Sequence, residues 1–564
     1  MTLSILANSN FPSLRASTLN EALEASARDG ALLWTADKDA DAQEVPMSRL
    51  LERASSVARR LCCLGLRRGD RAVIMLPTGA DWLTGFFGVL LAGGAAIPVG
   101  PNLSFGGMDR YAETVQAIFR SADARFLLGN AAIAPHVPKL RGEGSPFEHF
   151  VRVDEVSPAI GASRGLPSIS PADVAVIQYT SGTTGTPKGV VLSHRALLAN
   201  AHMIGERAGM TPSDVGVSWL PLFHDMGLVG ALLTALYWRY PLLLMPVESF
   251  LIQPRRWLQW LDRKRATLSV APNFAYQFVF DRMSDRHLAG LDFSAWRCAF
   301  NGAEAVRVET LQAFARRFGV HGFSPHAFQP VYGMAENSLA ATFPAPGQHW
   351  HSVRADGREC VSVGTPLSGV SVAIVGETEQ PLSTRSVGAI RIRSPSLMDG
   401  YFRNQAATEE VLCDGWLRTG DVGFIREGEL FITGRSKEII VKRGRNYAPD
   451  EFEEIAVATS KGRVLRAAAF GTPDGQDGTE RIVLVLETRP VTEHEKELLA
   501  REIAGALVAA VGVAHDVTVV VPPKTIERTT SGKIRRVTLK NRFMQGTLPR
   551  HPDDSTGTDS SVTA

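Results

Sequence analysis

The sequence has few cysteines and almost no net charge. Its five cysteines, at positions 62, 63, 298, 360 and 413, lack the paired spacing of a metal site. We therefore expect reduced, buried thiols and a reducing compartment, the cytoplasm. The formal charge is +2, because 60 basic residues are offset by 58 acidic ones. This balance argues against a nucleic-acid binder that works through a basic surface.

Long apolar runs are also missing. Trp82–Ile97 is interrupted by four glycines, and Leu228–Trp238 is 11 residues long. A membrane-spanning helix needs about 20 apolar residues, so both stretches predict buried helix or strand. Residues 1–17 lack the charged start and continuous apolar stretch of a signal peptide. We expect no stable membrane insertion.

At 564 residues the chain is too long for one compact core, so two or more domains are expected. Its first third alternates helical and strand-like patterns, which favours a parallel sheet covered by helices on both faces. The predicted helices are Arg49–Leu64, one that begins at Asp81, and Ala196–Ala208, and the predicted strands are Arg71–Leu76, Ala95–Val99 and Val174–Gln178.

From about residue 360 the pattern changes to short β-rich runs between Gly, Pro and Ser turns, which predicts a smaller β subdomain. About 110 residues after Lys437 then carry strands and a helix of their own, which predicts an α+β domain. The residues from Arg550 onward are rich in Pro, Asp, Ser, Thr and Gly and predict disorder. The predicted elements are strands Val370–Val375, Gly388–Arg393, Leu430–Thr433, Ala467–Phe470 and Ile482–Thr488, and helix Glu493–Val511.

The segment from Tyr179 to Gly189, Tyr-Thr-Ser-Gly-Thr-Thr-Gly-Thr-Pro-Lys-Gly, follows a buried strand and has the composition of a phosphate-binding loop. Glycines let backbone N–H groups approach phosphates, while hydroxyls and a lysine supply further donors. A Walker loop requires Gly-Lys-Ser/Thr, but here Pro187 precedes Lys188, which disfavours an ordinary P-loop NTPase. A flexible surface loop is the alternative. The candidate donors are Thr180, Ser181, Gly182, Thr183, Thr184, Gly185 and Lys188.

This string resembles the signature of the adenylate-forming superfamily, which includes acyl-CoA synthetases, peptide-synthetase adenylation domains and luciferases. The resemblance spans roughly residues 40 to 545. It implies an enzyme that uses ATP and Mg²⁺ to activate a carboxylic acid. The further matching motifs, in the order of the superfamily, are Asn301-Gly-Ala-Glu304, Tyr332-Gly-Met-Ala-Glu336, Leu417-Arg-Thr-Gly-Asp421, Gly434-Arg-Ser-Lys437 and Ser531-Gly-Lys-Ile-Arg535.

The same resemblance implies the fold and its boundaries. We expect an α/β protein with a large N-terminal adenylation core of doubly wound sheets at 1–436. Within it, sheet subdomains would occupy about 1–359 and a distorted β subdomain about 360–436. A small mobile α+β domain would follow at 437–549, and a disordered tail at 550–564.

Each motif carries an implied role. Attack of a carboxylate on the α-phosphate of ATP brings anions together, so a metal ion and lysines must neutralise charge. The resemblance implies that Lys533 bridges the carboxylate and the α-phosphate, that Lys188 steadies the pyrophosphate side, and that Glu336 holds Mg²⁺. The adenine would be contacted by Asn301, Gly302, Ala303 and Glu304, and Tyr332 with Gly333 would stack on it. Asp421 and Arg435 would bind the ribose, and Lys437 would act as the hinge.

Each of these residues also has a purely structural interpretation. Lys533 would be one more cation in a solvated cluster with Arg535 and Arg536. Glu336 would be a carboxylate near a helix N-terminus, where the helix dipole favours it. Asp421 would be a turn residue and Tyr332 a core aromatic.

Three other stretches resemble a narrower family, the fatty acyl-AMP ligases, whose members load fatty acids onto the phosphopantetheine of acyl carrier proteins in polyketide and lipopeptide assembly. The stretches are Pro221–Gly230, Arg265–Tyr276 and Lys442–Pro449. His224 matches the aromatic-gate position near the acyl site, and its alternative is a helix-capping or core histidine beside Asp225. Ala335 stands where many relatives of the superfamily carry threonine, and fatty acyl-AMP ligases share that alanine.

The acid is expected to be a medium- or long-chain fatty acid. Met226–Leu244 and Phe274–Phe280 would wall a hydrophobic tunnel or, equally, form helix core. Each buried CH₂ contributes about 0.8 kcal/mol, so tunnel depth would set chain-length preference steeply.

The acceptor thiol is left open between a carrier protein and CoA. Fatty acyl-AMP ligases usually carry an extra segment after the Tyr-Gly-x-Ala-Glu motif that is thought to hinder CoA use. Residues Ala345 to Ser362 number only 18 here, so an acyl-CoA synthetase is the alternative. A third possibility is a nucleotide-sensing or scaffold protein without catalysis, against which the set Lys188, Glu336, Asp421 and Lys533 argues.

Overall fold

Strands alternate with helices up to residue 330, which extends well beyond the first third of the chain, where the sequence pattern predicts this alternation. The computed structural model describes residues 3–36, 41–101, 108–156, 165–180, 188–355, 358–436, 438–442, 445–473, 480–528, 534–549 and 551. The predicted tail from Arg550 therefore lies outside the described residues, apart from residue 551.

The helices of the described chain include a π-helical segment at Met226–Leu233 and 3₁₀ turns at Ala134–His136, Val153–Glu155, Pro325–Ala327 and Ala335–Asn337. The α-helices are α1 (Leu19–Arg28), α2 (Met47–Cys63), α3 (Ala80–Leu91), α4 (Met108–Ala122), α5 (Val137–Arg141), α6 (His194–Arg207), α7 (Thr234–Trp238), α8 (Val247–Ile252), α9 (Arg255–Arg263), α10 (Asn273–Arg282), α11 (Asp285–Leu288), α12 (Val308–Gly319), α13 (Gln405–Val411), α14 (Pro449–Thr459), α15 (Glu493–Val511) and α16 (Arg536–Met544).

The strands up to residue 330 are β1 (Ile5–Ala7), β2 (Leu32–Thr35), β3 (Gln43–Pro46), β4 (Arg71–Ile74), β5 (Ala95–Pro98), β6 (Phe126–Gly129), β7 (His149–Arg152), β8 (Val174–Thr180), β9 (Lys188–Ser193), β10 (Gly216–Ser218), β11 (Leu242–Leu244), β12 (Leu268–Ala271), β13 (Cys298–Asn301) and β14 (Phe328–Pro330).

The later strands are β15 (Tyr332–Gly333), β16 (Ala340–Phe343), β17 (Ser352–Ala355), β18 (Arg358–Val361), β19 (Thr365–Pro366), β20 (Ser371–Val375), β21 (Gly388–Arg393), β22 (Gly400–Tyr401), β23 (Leu412–Cys413), β24 (Trp416–Arg426), β25 (Glu429–Arg435), β26 (Ile440–Lys442), β27 (Arg445–Tyr447), β28 (Val464–Pro473), β29 (Glu480–Thr488) and β30 (Val517–Val521).

Two seven-stranded sheets form the larger part of the fold. One has the order β14-β13-β12-β10-β11-β2-β3 and is parallel except for its β2–β3 edge. The other has the order β22-β9-β8-β5-β4-β6-β7 and is parallel from β8 to β7. The predicted α/β class with a parallel sheet is therefore confirmed, although β9 and β22 join the second sheet antiparallel.

The β-rich part after residue 360 is built on a six-stranded sheet of order β1-β20-β21-β24-β23, with β25 paired to β24. Its edge strand β1 comes from the N-terminus, where Ile5 pairs with Ala373. The short stretch before it contains the antiparallel hairpin β17–β18. Buried Cys360 of this hairpin packs with Phe424 and Phe431 in a small apolar cluster.

The chain divides into two compact units, the second of which contains Gly420–Gly423 and the residues from Thr433 onward. The predicted boundary at 436/437 stays a prediction. In the second unit, the sheet β28-β29-β30 buries alternate residues on opposite faces, as strand geometry requires. Ala467 and Ala469 pack with Phe452 of α14 and Ile503 of α15, while the intervening Ala468 packs with other residues, Leu539 of α16 among them.

Among the described residues, no helix has the length and apolar character needed to cross a membrane.

A buried histidine at the start of α6 predicts a pH dependence of stability. His194 is 1% exposed, its Nδ1 accepts a hydrogen bond from Leu19 N at 3.2 Å, and burial lowers its pKa from 6.5 to about 4. The unfolded chain binds a proton at this histidine more readily than the folded chain does. The contribution of neutral His194 to the free energy of unfolding is therefore complete above pH 6.5 and is lost as the pH falls toward 4. The loss amounts to roughly 3 kcal/mol.

Urea unfolding at pH 7 and pH 5 measures this effect. We expect His194→Asn, which keeps an acceptor without the titrating ring, to lose less stability between the two pH values than the wild type. Equal losses in the two proteins would contradict the assignment.

Candidate active site

Two of the predicted adenine-binding segments meet at one edge of the first sheet. β13 and β14 are parallel, so Asn301–Glu304 and the residues that follow Pro330 leave the sheet side by side. Val331 N donates to Asn301 O at 2.8 Å across this edge. Ligands of open α/β sheets bind at the carboxyl ends of the strands, which is where both segments lie.

Within the first of these segments, the side chain of Asn301 lies in the core. It is 0% exposed, and its Nδ2 donates to Asn273 Oδ1 at 3.2 Å. Asn301 Oδ1 has no hydrogen-bond partner among the described residues. The partly exposed residues of this segment are Ala303, whose φ is +68°, and Glu304, which accepts from Phe274 N. Adenine can therefore contact the Asn301 amide, as predicted, only if this side chain becomes more exposed.

The second segment turns sharply after Tyr332, which is 7% exposed and pairs with Thr342 of β16. A Cβ on Gly333 would lie 1.9 Å from Leu339 O, so only glycine fits at this position. The chain then enters the 3₁₀ turn Ala335–Asn337, which carries Glu336. Glycine at 333 therefore permits the close turn that presents this carboxylate.

The Gly-rich loop joins two antiparallel strands. Thr180, the last residue of β8, pairs with Lys188, the first residue of β9. A Cβ on Gly189 would come within 2.8 Å of Ile177 Cγ2, which explains glycine after the lysine. The predicted donors Ser181, Gly182, Thr183, Thr184 and Gly185 lie outside the described residues. The sequence pattern predicted helix α6 after the loop but missed the intervening strand β9.

Lys188 and Glu336 are brought together by a residue that the motifs do not contain, Tyr401. Its hydroxyl donates to Glu336 Oε1 at 2.8 Å. Lys188 Nζ lies 4.8 Å from the centre of the same ring, within the range of a cation–π contact. Burial and the neighbouring Glu336 carboxylate both raise the pKa of Tyr401 above its ordinary value, so the phenol stays protonated and donates.

The donor set at Glu336 fits a magnesium ion bound together with a nucleotide. Mg²⁺ is usually held by one or two carboxylates, several waters and substrate phosphates. Among the described residues there is no cluster of three or more His, Cys, Asp or Glu side chains suited to a metal ion. A single carboxylate suits an ion that arrives with ATP, and Glu336 is the residue that the motif resemblance predicts to hold it.

His224 lies just before the π-helical segment Met226–Leu233 and contacts its neighbours. Its Nδ1 is 2.6 Å from Asp225 Oδ1, and its carbonyl accepts from Leu228 N at 2.8 Å. These contacts match the helix-capping interpretation, although its side chain is still 23% exposed. A gate role for His224 stays a prediction.

The two apolar stretches predicted as tunnel wall or helix core are mostly core. Leu228, Leu232 and Leu236 are at most 3% exposed. On α10, Tyr276 is fully buried while Phe274, Phe278 and Phe280 are partly exposed. These phenylalanines are among the residues of the two stretches whose side chains are not fully buried.

In the second unit, the two predicted ribose-binding residues contact each other. Arg435 Nε lies 3.1 Å from Asp421 Oδ1, and Asp421 is 7% exposed. Ser436 N and Oγ both donate to Gly420 O, at 2.9 and 3.0 Å, and tie the two motifs together. The predicted hinge, Lys437, lies outside the described residues.

Lys533 is also outside the described residues, but both flanks of its segment are held. Arg528 and Ile534 form an antiparallel bridge, and Arg535 N donates to Glu527 O at 3.0 Å. Arg536, which the alternative interpretation of Lys533 placed in a solvated cluster, instead lies in a largely buried ion cluster. Its Nη1 is 2.6 Å from Glu438 Oε2, and its Nε is 2.7 Å from Glu453 Oε1.

Arg536 is kept charged by these partners. Burial lowers its pKa, but the attraction and hydrogen bonds of Glu453, together with Glu438, more than offset that effect and raise the pKa above its ordinary value. Glu453 Oε1 also accepts from Ala469 N at 2.9 Å. The cluster thus joins the start of α16 to α14 and to strand β28.

Comparison with known proteins places the chain in a family. A model described as AMP-binding enzyme matches residues 23–402, so the chain belongs to the AMP-binding enzyme family. The resemblance to adenylate-forming enzymes is thereby confirmed, and with it an ATP-using, adenylate-forming class of enzyme.

Three similar proteins carry more specific names. A Caulobacter vibrioides protein with the provisional name acyl-CoA synthetase is 32% identical, over 90% of this chain and 91% of its own. The medium-chain-fatty-acid–[acyl-carrier-protein] ligase JamA of Moorena producens is 33% identical, over 85% of this chain and 87% of its own. A solved structure from a study of fatty acyl-adenylate ligases from E. coli and L. pneumophila has a TM-score of 0.87 at 31% identity and covers 95% of this chain and 99% of its own.

Proposed function

We propose that this protein activates a medium- or long-chain fatty acid with ATP and transfers the acyl group to an acyl carrier protein in polyketide or lipopeptide biosynthesis. In the first step the carboxylate attacks the α-phosphate, giving acyl-adenylate and pyrophosphate. In the second step the phosphopantetheine thiol of the carrier attacks the acyl carbonyl and AMP leaves. This fits the names of JamA and of the fatty acyl-adenylate ligases.

The observation that carries the proposal is the convergence of Lys188 and Glu336 on Tyr401 at the end of the Gly-rich loop. Activation of a carboxylate by ATP requires a cation for the phosphates and a carboxylate for the metal ion at one place. Here both charges come from motifs of the AMP-binding family, and they meet where β9 begins.

The residues have distinct tasks in this reaction. Lys188 steadies the pyrophosphate side of ATP, and Glu336 holds Mg²⁺, which neutralises phosphate charge. Asp421 and Arg435 hold the ribose, the segment from Asn301 to Glu304 and Tyr332 contact adenine, and Lys533 bridges the carboxylate and the α-phosphate.

The second candidate is an acyl-CoA synthetase with the same first step. Two observations favour it: the name of the Caulobacter relative and the short stretch Ala345 to Ser362. We place it second because the Pro221–Gly230, Arg265–Tyr276 and Lys442–Pro449 stretches resemble fatty acyl-AMP ligases.

A panel of fatty acids with ATP and Mg²⁺ tests both candidates. Acyl-adenylate and pyrophosphate are measured first, and holo carrier protein and CoA then compete for the acyl group in one reaction analysed by mass spectrometry. Acyl-carrier product in excess supports the proposal, and acyl-CoA in excess replaces it with the second candidate. No pyrophosphate with any acid would leave a nucleotide-binding protein without ligase activity.

Substitution of Lys437 by proline tests the hinge. Proline fixes φ near −65°, so rotation at this residue is blocked. We expect acyl-adenylate formation close to wild type and acyl transfer lowered at least tenfold. The matched control is Lys437→Ala, which removes the same side chain but leaves the backbone free and should support both steps. Equal loss of both steps in the proline variant would contradict a hinge at this position.

A further inference from the structure

Tyr401 stands between two groups of opposite charge and touches both. Its hydroxyl lies 2.8 Å from Glu336 Oε1, and its ring lies 4.8 Å from Lys188 Nζ. The residue is 9% exposed, so both contacts are largely removed from water, which strengthens them. No ion pair within 4.0 Å joins Lys188 to Glu336 among the described residues.

The backbone around Tyr401 is held in place from two sides. Tyr401 pairs with Val190 of β9, and Phe402 N donates to Gly189 O at 2.7 Å. On the other side, Thr408 Oγ1 accepts from Tyr401 N at 2.9 Å. The ring is therefore fixed relative to the strand that begins with Lys188.

A second connection fixes Glu336 to the same stretch of chain. Met398 N donates to the backbone carbonyl of Glu336 at 2.9 Å. Glu336 is thus held to residues 398–401 through both its backbone and its carboxylate. Since those residues also pair with β9, Glu336 and Lys188 belong to one hydrogen-bonded unit.

This arrangement has a consequence for ligand binding. A direct Lys188–Glu336 ion pair would neutralise both charges, and each ligand group would have to displace it. With an aromatic ring between them, the ammonium stays available to phosphate oxygens and the second carboxylate oxygen stays available to a metal ion.

We propose that Tyr401 is a positioning residue that orients the Glu336 carboxylate through its hydroxyl and the Lys188 ammonium through its ring, and thereby couples metal binding to phosphate binding. The inference rests on the proposed function for the ligand, ATP with Mg²⁺. It assigns separate tasks to two parts of one side chain, and two substitutions separate them.

The test measures equilibrium binding of ATP by calorimetry in the absence of fatty acid, with and without Mg²⁺. Tyr401→Phe removes the hydroxyl and keeps the ring. We expect it to weaken binding of ATP about tenfold when Mg²⁺ is present and to leave binding without Mg²⁺ unchanged. In a Glu336→Gln background the same substitution should have no further effect, because the carboxylate it orients is gone.

Tyr401→Leu removes the ring as well. We expect it to weaken ATP binding without Mg²⁺ about threefold to tenfold relative to Tyr401→Phe. This difference should vanish in a Lys188→Met background, because the ring then has no cation to hold. The control is Tyr237→Phe, which removes another buried hydroxyl that accepts from Arg15 N at 2.8 Å. We expect the control to bind ATP like the wild type.

Additive effects of Tyr401→Phe and Glu336→Gln would overturn the proposal, as would equal weakening by Tyr401→Phe with and without Mg²⁺. These readouts do not depend on catalysis. A wild type that binds ATP but releases no pyrophosphate would overturn the proposed function alone, while additive effects in an active enzyme would overturn only the role of Tyr401. A wild type that does not bind ATP would overturn both.

Discussion

Replacing Lys533 with alanine is expected to slow fatty-acid-dependent pyrophosphate exchange about a hundredfold to a thousandfold, the usual cost of removing one preorganised donor from a developing charge. The reaction joins two anions, and the lysine motif supplies the cation between them. The described residues on either side of its segment are joined by the Arg528–Ile534 bridge.

Two comparisons make this result specific. Lys540→Ala removes the same charge from a partly exposed position on α16 and should leave exchange near the wild-type rate. Lys533→Ala given a synthetic acyl-adenylate should still transfer the acyl group to the carrier thiol, because the lysine acts in the first step. Near-normal exchange in Lys533→Ala would show that the catalytic assignment is wrong.

The second large effect concerns stability. Arg536→Ala is expected to destabilise the second unit by about 3–5 kcal/mol, because it leaves two largely buried carboxylates without their cation. The side chains of Glu438 and Glu453 are only 13% and 10% exposed, so water does not replace the lost partner. Hydrogen–deuterium exchange of amides in strand β28 measures the loss.

The matched control lies on the same helix. Arg542 is 3.5 Å from Glu527 with both side chains about a third exposed or less, and such partly exposed pairs contribute about 0–1 kcal/mol. Arg542→Ala should therefore leave exchange in β28 nearly unchanged. The combination of Arg536→Ala with Glu438→Gln and Glu453→Gln should recover part of the loss, since the unpaired charges are gone. Equal destabilisation by the two arginine variants would contradict a buried ion cluster.

Elements whose signals are local were predictable from the sequence. Helix α15 begins and ends at the predicted residues, because Thr492 and Glu495 form a capping box and Gly512 ends the helix with a φ of +76°. Strands β4, β5 and β8 of the second parallel sheet were predictable for the same kind of reason, as short continuous apolar runs between turns.

Elements that depend on distant partners were not predictable. Strand β1 exists because Ile5 pairs with Ala373, and nothing in its own three residues requires a strand. Strand β9 directly follows the loop and forms against β8, so the helix signal of the next residues obscured it. In both cases the decisive contact lies outside the local sequence window.

The residues of the candidate site also differ in whether the local sequence predicts them. Lys188 and Glu336 stand in recognisable motifs, but Tyr401 reaches them only through the pairing of β22 with β9. The burial of the Asn301 side chain was not predictable either, because a motif states which residue is present and not whether its side chain is buried. Arg536 looked like a surface cation because its carboxylate partners lie 83 and 98 positions away.

The stability of the β8–β9 hairpin comes from the buried side chains of its two strands. Val176, Ile177, Val190 and Leu192 are at most 1% exposed, so the two strands are held by their own buried side chains. Changing the length of the loop between the strands alters the free energy of unfolding little, since doubling a loop's length costs roughly 0.6 kcal/mol. Evolution or an engineer can therefore change the number of residues between Thr180 and Lys188 at little cost in stability, without rebuilding the sheet on either side.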